Sequence, residues 1–354
     1  MHRNLPFKYI FIIIIIFGTL LSLSSRHWLV IWAGLEINLI GFLPILVYQK
    51  KMIERESAVK YFIIQALGSR FIILGRLITF STTLSWECIT LNLTSLGNVF
   101  ILISGLILKI GLFPFHFWFP GVIAGLRWFS CLFLTTWQKV APIFLIMAVR
   151  TSTSRLLLVF LVSLIARGSS VAGGVGGLNQ TQIRALIAYS SIGHIGWILF
   201  ALDSRERSVK FYFLIYSLIS LGMFLRLSVL DVSNMKTLSS ISNRVYLGSI
   251  AFVVILLSLG GLPPLLGFIA KWLIFSASVS QRIRGLLIIL ILGSLIRLFY
   301  YLSLFFSEAL NLKRNAFSLK HVSKVTNQNY IVAVLFVNIL GGLLFFLLLP
   351  RNFI

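Results

Sequence analysis

The feature that most constrains this chain is a recurrence of apolar runs, each about 20 residues long, from one end to the other. That is the length a helix needs to cross the ~30 Å hydrocarbon core of a bilayer. Of 354 residues, 58% are hydrophobic and only 11% are charged. Such a composition leaves too few polar groups to cover a soluble domain. A helix satisfies its own backbone in lipid, so the sequence predicts an all-α polytopic membrane protein.

About eleven spans are expected, at roughly 7–25, 28–48, 58–80, 96–113, 125–150, 155–178, 182–202, 208–230, 246–280, 283–306 and 330–349. Together they make residues 1–354 a single membrane domain with no room for a soluble one. The first run, Tyr9 to Leu23, follows basic His2, Arg3 and Lys8. No small-residue cleavage motif ends it, so it reads as a retained first helix. The longest polar connection, 308-EALNLKRNAFSLKHVSKVTNQN-329, is basic and expected against a membrane surface or a partner. Lysine and arginine counts on alternate loops do not separate, which leaves the orientation open.

Cys88 and Cys131 supply neither a disulfide framework nor a CxxC metal signature, so no iron–sulfur cluster is expected here. The formal charge of +23 would ordinarily suggest an anionic partner. Many of the arginines lie inside apolar runs rather than on a basic face, which argues against nucleic acid.

Two spans read as interrupted. In 135-TTWQKVAPIFLIMAV-149, Lys139 stands three residues before Pro142. In 256-LLSLGGLPPLLGFIAKWLIF-275, Gly260, Gly261, Pro263 and Pro264 break the helix ahead of Lys271. Proline removes a backbone donor and crowds the preceding turn. Exposed backbone at membrane depth is tolerated only inside protein or beside a wet cavity. A pair of broken helices, one in each half and each with a lysine, is the pattern of an inverted-repeat transporter.

Charges inside apolar spans usually face the bundle interior and mark ion pathways. Here they are Glu36 within 31-IWAGLEINLIGFLPILVY-48, then Lys60, Lys109, Lys139 and Lys271. Burial favours a neutral amine, whereas a nearby carboxylate favours the ammonium. A glutamate that approaches or leaves a buried lysine can therefore make it bind or release a proton, and the set suggests a lateral relay. Lys60 is near enough to a helix end to snorkel, and Lys109 could be a simple helix-end lysine. His116 and His194 suit proton shuttling, although a lone histidine also serves as a packed, hydrogen-bonded residue. The glycine-rich 173-GGVGGLNQT-181 lacks the lysine and Ser or Thr of a phosphate loop and is expected at a helix–helix contact.

Six ordered stretches converge on one family: 32-WAGLEINLI-40, 56-ESAVKYFIIQALGS-69, 108-LKIGLFPFHFWFP-120, 136-TWQKVAP-142, 177-GLNQTQIRALIAYSSIGHIGW-197 and 260-GGLPPLLGFIAKW-272. They resemble the antiporter-like, proton-pumping subunit 2 family of mitochondrial respiratory complex I in its short animal form. The resemblance implies that Glu36 interacts with Lys109, that Lys139 belongs to the broken helix, and that protons leave through Lys271. Lys60, His116 and His194 are candidates for the same relay. It also implies two inverted five-helix repeats at about 7–150 and 155–306, a basic loop at 307–329 and a final helix at 330–349. Protons would cross the mitochondrial inner membrane, driven by NADH oxidation and ubiquinone reduction elsewhere in the complex. NADH, FMN, iron–sulfur clusters and ubiquinone would be bound by other subunits. This chain's partners would be other membrane-arm subunits and lipid, cardiolipin included. A related cation/proton antiporter shares the same charges, and a non-pumping scaffold is the third reading.

Arg70, Arg76, Arg127, Arg167, Arg226 and Arg297 depart from the family's pattern. Each arginine at a helix centre costs about 2.5–3.5 kcal/mol on an insertion scale, and only eight acids exist to pair with all the cations. Invertebrate mitochondria read AGA and AGG as serine and ATA as methionine. The run 12-IIIII-16 beside only five methionines fits the same misreading. The other reading is true arginines that snorkel or bind cardiolipin.

Overall fold

The computed structural model describes residues 8–48, 52–87, 96–152, 156–204, 206–230, 246–263, 265–279, 284–315, 336 and 338–342. These residues are almost wholly helical. The extended element among them is an isolated antiparallel bridge between His27 and Glu87.

The helices are α1 (Lys8–Ser24), α2 (Trp28–Val47), α3 (Met52–Thr83), α4 (Leu96–Ile110), α5 (Trp118–Gly125), α6 (Trp128–Thr135), α7 (Trp137–Ser152), α8 (Leu156–Leu178), α9 (Ile183–Ala201), α10 (Glu206–Leu230), α11 (Tyr246–Gly260), α12 (Leu266–Val279) and α13 (Arg284–Asn315). Seven described stretches are long and apolar enough to cross a membrane: Trp28–Val47, Met52–Ser81, Trp128–Arg150, Leu158–Leu178, Ile183–Ala201, Glu206–Ser228 and Leu287–Ser307. Four shorter apolar helices, Tyr9–Ser24, Gly97–Ile110, Ala251–Gly260 and Leu266–Ser278, accompany them. The chain is an all-α polytopic membrane protein.

Two compact units divide the chain, Met1–Val162 and Ser163–Ile354. In the first, α1 packs along α2 and α3 along α4, with α7 against both α1 and α4. Glycines permit these close approaches, as membrane helices require without a hydrophobic force between them. A Cβ at Gly18 would lie 2.8 Å from the Gly34 carbonyl, and one at Gly105 would lie 2.8 Å from that of Gly68. In the second unit α9, of which 89% is buried, packs against α10, α12 and α13, and α11 packs against the same three helices. The glycine-rich end of α8 is a helix contact, as expected. Gly173 meets the backbone of Tyr189 and Gly193, Gly174 the Gly293 carbonyl, and Gly177 the Tyr300 ring.

The interruptions differ from expectation in the first unit. Pro142 does not break its helix: α7 runs through it from Trp137. The discontinuity lies earlier, at Thr136, whose φ and ψ are −111° and −72°. There two successive hydroxyls, Thr135 Oγ1 and Thr136 Oγ1, donate to the carbonyls of Cys131 (2.9 Å) and Leu132 (2.7 Å). Such bonds to the preceding turn bend a helix. A wider break, at residues 111–117, separates α4 from α5. The expected span at 246–280 is likewise two helices, parted at Gly261, while Pro264 lies outside the described residues.

The two wide breaks are built alike. Gly111 and Gly261 both have φ +78°, the left-handed conformation that glycine adopts without a Cβ penalty. Gly111 N–H donates to the Ile107 carbonyl (2.9 Å) and Gly261 N–H to that of Leu257 (3.0 Å). Leu112 and Leu262 N–H reach the same carbonyls, at 3.3 and 3.2 Å. These bonds satisfy helix-terminal carbonyls that would otherwise be stranded. The expected loop at 307–329 and final helix at 330–349 lie mostly outside the described residues.

Candidate functional site

In the first unit Glu36 stands in the third turn of α2 and Lys109 is the penultimate residue of α4. Lys109 Nζ lies 3.9 Å from Glu36 Oε1, with the side chains 3% and 24% exposed. This separation exceeds a hydrogen bond. It leaves a charge interaction of about 4 kcal/mol at an effective dielectric near 20. Gln65 on α3 donates to the Lys109 carbonyl at 3.0 Å, occupying one of the end groups of α4. Gly68 makes space for the lysine stem, since a Cβ there would lie 2.8 Å from Lys109 Cγ.

Lys139, in the first turn of α7, is buried (2% exposed). Its Nζ sits 4.0 Å from the centre of the Phe119 ring on α5, within cation–π range. Next to it Gln138 Nε2 donates to Asn38 Oδ1 at 2.9 Å, tying α7 to the helix that carries Glu36. Lys109, Lys139, Gln65, Gln138 and Tyr61 all line one cavity of ≈ 10 Å³, room for about one water molecule. The break after Gly111 brings α5, and with it Phe119, to this cavity.

In the second unit Lys271 lies in the second turn of α12 and reaches back across the break. Its Nζ donates to the Gly260 carbonyl, the last residue of α11, at 2.7 Å. The negative end of a helix dipole is a natural place for a cation. His194 on α9 is buried, with Nδ1 3.1 Å from the Tyr212 hydroxyl on α10.

The structure thus brings Glu36, Lys109 and Lys139 together in the first unit and sets Lys271 and His194 near the break of the second. Lys60 is placed differently. It is exposed on α3 and pairs with Glu56 one turn earlier at 2.6 Å. His116 lies in the break between α4 and α5, its ring 4.1 Å from that of Phe117 and 6.2 Å from that of Phe113. It does not line the lysine cavity. The amides Asn38, Gln65 and Gln138 were absent from the expected site. Their signal was the same as that of the charges, a costly polar group in an apolar span. Among the described residues no three His, Cys, Asp or Glu side chains are grouped to hold a metal ion.

Paired helix breaks that each present a lysine define an ion-translocating class of polytopic membrane protein. A family profile described as "NADH:quinone oxidoreductase/Mrp antiporter, TM" matches residues 25–297. The chain is 40% identical over 317 residues to NADH-ubiquinone oxidoreductase chain 2 of Anopheles gambiae, covering 88% of this chain and 89% of the relative. It is 36% identical over 320 residues to the protein of the same name from Locusta migratoria, covering 88% of each. A chain of respiratory complex I from Thermus thermophilus superposes with a TM-score of 0.82 at 27% identity, over 98% of this chain and 81% of that one. The chain belongs to the NADH:quinone oxidoreductase/Mrp antiporter family, within the group of NADH-ubiquinone oxidoreductase chain 2 proteins.

Proposed function

We propose that this chain translocates protons across the mitochondrial inner membrane as a membrane-arm subunit of an NADH:ubiquinone oxidoreductase. The observation that carries the reading is the shared cavity of Lys109 and Lys139, with Glu36 3.9 Å from the first of them. An amine that loses or gains its carboxylate neighbour changes its proton affinity. One water in the cavity would carry the proton between the two lysines. Glu36 is the control group, Lys109 and Lys139 are the proton carriers of the first unit, and Lys271 is the carrier of the second. Lys60, His116 and His194 are secondary candidates, of which His194 has the geometry to exchange a proton with Tyr212.

The matching breaks at Gly111 and Gly261 support a reading of the chain as two copies of one five-helix plan, at about 7–150 and 155–306. NADH, FMN, iron–sulfur clusters and ubiquinone would be handled by other subunits of the complex, and their chemistry would drive the relay. Other membrane-arm subunits and lipid, cardiolipin among it, are the partners of the apolar surface. A separate cation/proton antiporter would share the lysines, but relatives named as chain 2 that match most of this chain favour the oxidoreductase.

The test is proton uptake per NADH oxidised in inner-membrane vesicles carrying Lys139→Ala or Lys271→Ala. Both variants should assemble on native gels and lose pumping. Pumping at the wild-type ratio would leave only the scaffold reading.

A further inference from the structure

We propose that the hydroxyls of Tyr212 and Tyr216 carry protons between His194 and the break that separates α11 from α12. The inference rests on the proton-translocating reading and adds two residues to it. Tyr212 and Tyr216 are four apart in α10 and so share a face. Both are buried. The Tyr212 hydroxyl lies 3.1 Å from His194 Nδ1. The Tyr216 ring centre is 5.4 Å from that of the imidazole.

These three side chains line a cavity of ≈ 10 Å³ whose far wall includes Ser258, Leu259 and Gly267. That volume is about the space one water requires; the wall is largely apolar, with the imidazole and the two phenols among the residues that line it. Ser258 and Leu259 stand in the last turn of α11, and Gly267 in the first turn of α12. The cavity therefore reaches from the imidazole to the broken helix, where Lys271 is held on the Gly260 carbonyl. A phenol suits this position because its hydroxyl both donates and accepts.

In the transfer His194 starts as the imidazolium, and its Nδ1–H bond breaks as a new O–H bond forms on Tyr212, leaving the neutral imidazole with its proton on Nε2. The original O–H bond of Tyr212 breaks as its proton passes to water in the cavity, where the Tyr216 hydroxyl can exchange in the same way. Each oxygen gains one proton and gives up one, so both tyrosines end neutral. The alternative role is structural, with the hydroxyls only satisfying buried polar neighbours.

The test uses Tyr212→Phe and Tyr216→Phe in the assembled complex in inner-membrane vesicles. It reads protons taken up per NADH oxidised and the solvent deuterium isotope effect on uptake. Tyr212→Phe should slow uptake by about a hundredfold or more, the low end of what a positioned proton-transfer group contributes, and raise the isotope effect. Tyr216→Phe should give a smaller loss. Wild-type uptake and isotope effect in an assembled Tyr212→Phe complex would overturn the proposal. If that complex does not assemble, unchanged uptake in Tyr216→Phe overturns it instead. Lys271→Ala is measured alongside. Normal pumping there would sink the relay itself, whereas lost pumping there with normal uptake in both phenylalanine variants would sink only the tyrosines.

Discussion

The amine of Lys271 donates at 2.7 Å to the carbonyl of Gly260, eleven residues earlier and on the other side of a helix break. The contact depends on the glycine between them. A Cβ at Gly261 would lie 2.7 Å from Lys271 Nζ, and the backbone there has φ +78°. Gly261→Ala is therefore expected to cost about 1–2 kcal/mol from the left-handed backbone and to push the amine off the carbonyl. Proton pumping should fall while the second unit still folds. Thermal unfolding of the complex and proton uptake, measured together, check this. A variant with normal uptake would show that the Lys271–Gly260 bond is incidental.

The carboxylate beside Lys109 has its own expectation. Glu36→Gln keeps the shape of the side chain and removes the charge interaction across 3.9 Å. The complex should assemble, because Glu36 Oε1 accepts no hydrogen bond among the described residues whose loss would strand a donor. Proton uptake per NADH should drop, by about tenfold for each pKa unit by which the lost carboxylate changes the proton affinity of Lys109. Unchanged uptake in an assembled Glu36→Gln complex would remove the control role from this residue.

Lys60 makes the converse case. Its exposed pair with Glu56 lies on the outer side of α3, and surface pairs of this kind contribute little. Lys60→Ala should leave pumping within about twofold of the wild type, in contrast to Lys109→Ala and Lys139→Ala. Proton uptake in the three variants side by side decides the point. A loss in Lys60→Ala equal to the other two would mean that this lysine faces a proton path in the assembled complex.

How far the sequence reached is visible in particular residues. Glu36 and Lys109 were legible because a charge in an apolar span is expensive and needs a partner, and the family motifs paired them. The break at Gly261 was legible because Gly260, Gly261 and Pro263 all disfavour a continuous helix. The break before Lys139 was placed at Pro142, whereas the hydroxyls of Thr135 and Thr136 bend the chain and α7 absorbs the proline. Neighbouring helices in a membrane bundle can satisfy what a proline leaves open, so proline alone misplaced the interruption. Gln65, Gln138 and Tyr212 were not legible as site residues. Their role comes from which cavity each one lines, and that depends on packing between helices far apart in sequence.

The arginines provide the last expectation. Arg297 is 1% exposed on α13, and its Nε donates weakly to the Gly293 carbonyl at 3.3 Å. Nη1 and Nη2 are buried with no hydrogen-bond partner among the described residues, an arrangement that costs far more than leaving a neutral group unpaired. The serines of the same helix behave differently. Ser294, Ser303 and Ser307 each donate to the carbonyl three residues earlier, at 2.8, 2.9 and 2.8 Å. A serine at 297 could make the same bond without burying a charge, and the space beside Gly193, where a Cβ would now meet Arg297 Nη1 at 2.7 Å, would open. Several of residues 70, 76, 127, 167, 226 and 297, with 297 foremost, are accordingly expected to be serine in the natural polypeptide, read from AGA or AGG codons. Arg70 and Arg127 are exposed, and Arg127 Nε pairs with Glu54 Oε1 at 3.3 Å, so the burial argument does not reach those two. Mass spectrometry of peptides from the native complex, set beside the coding DNA, checks each position. Arginine encoded by CGN codons at these sites would overturn the expectation, and would require an anionic partner or lipid headgroup for each buried guanidinium.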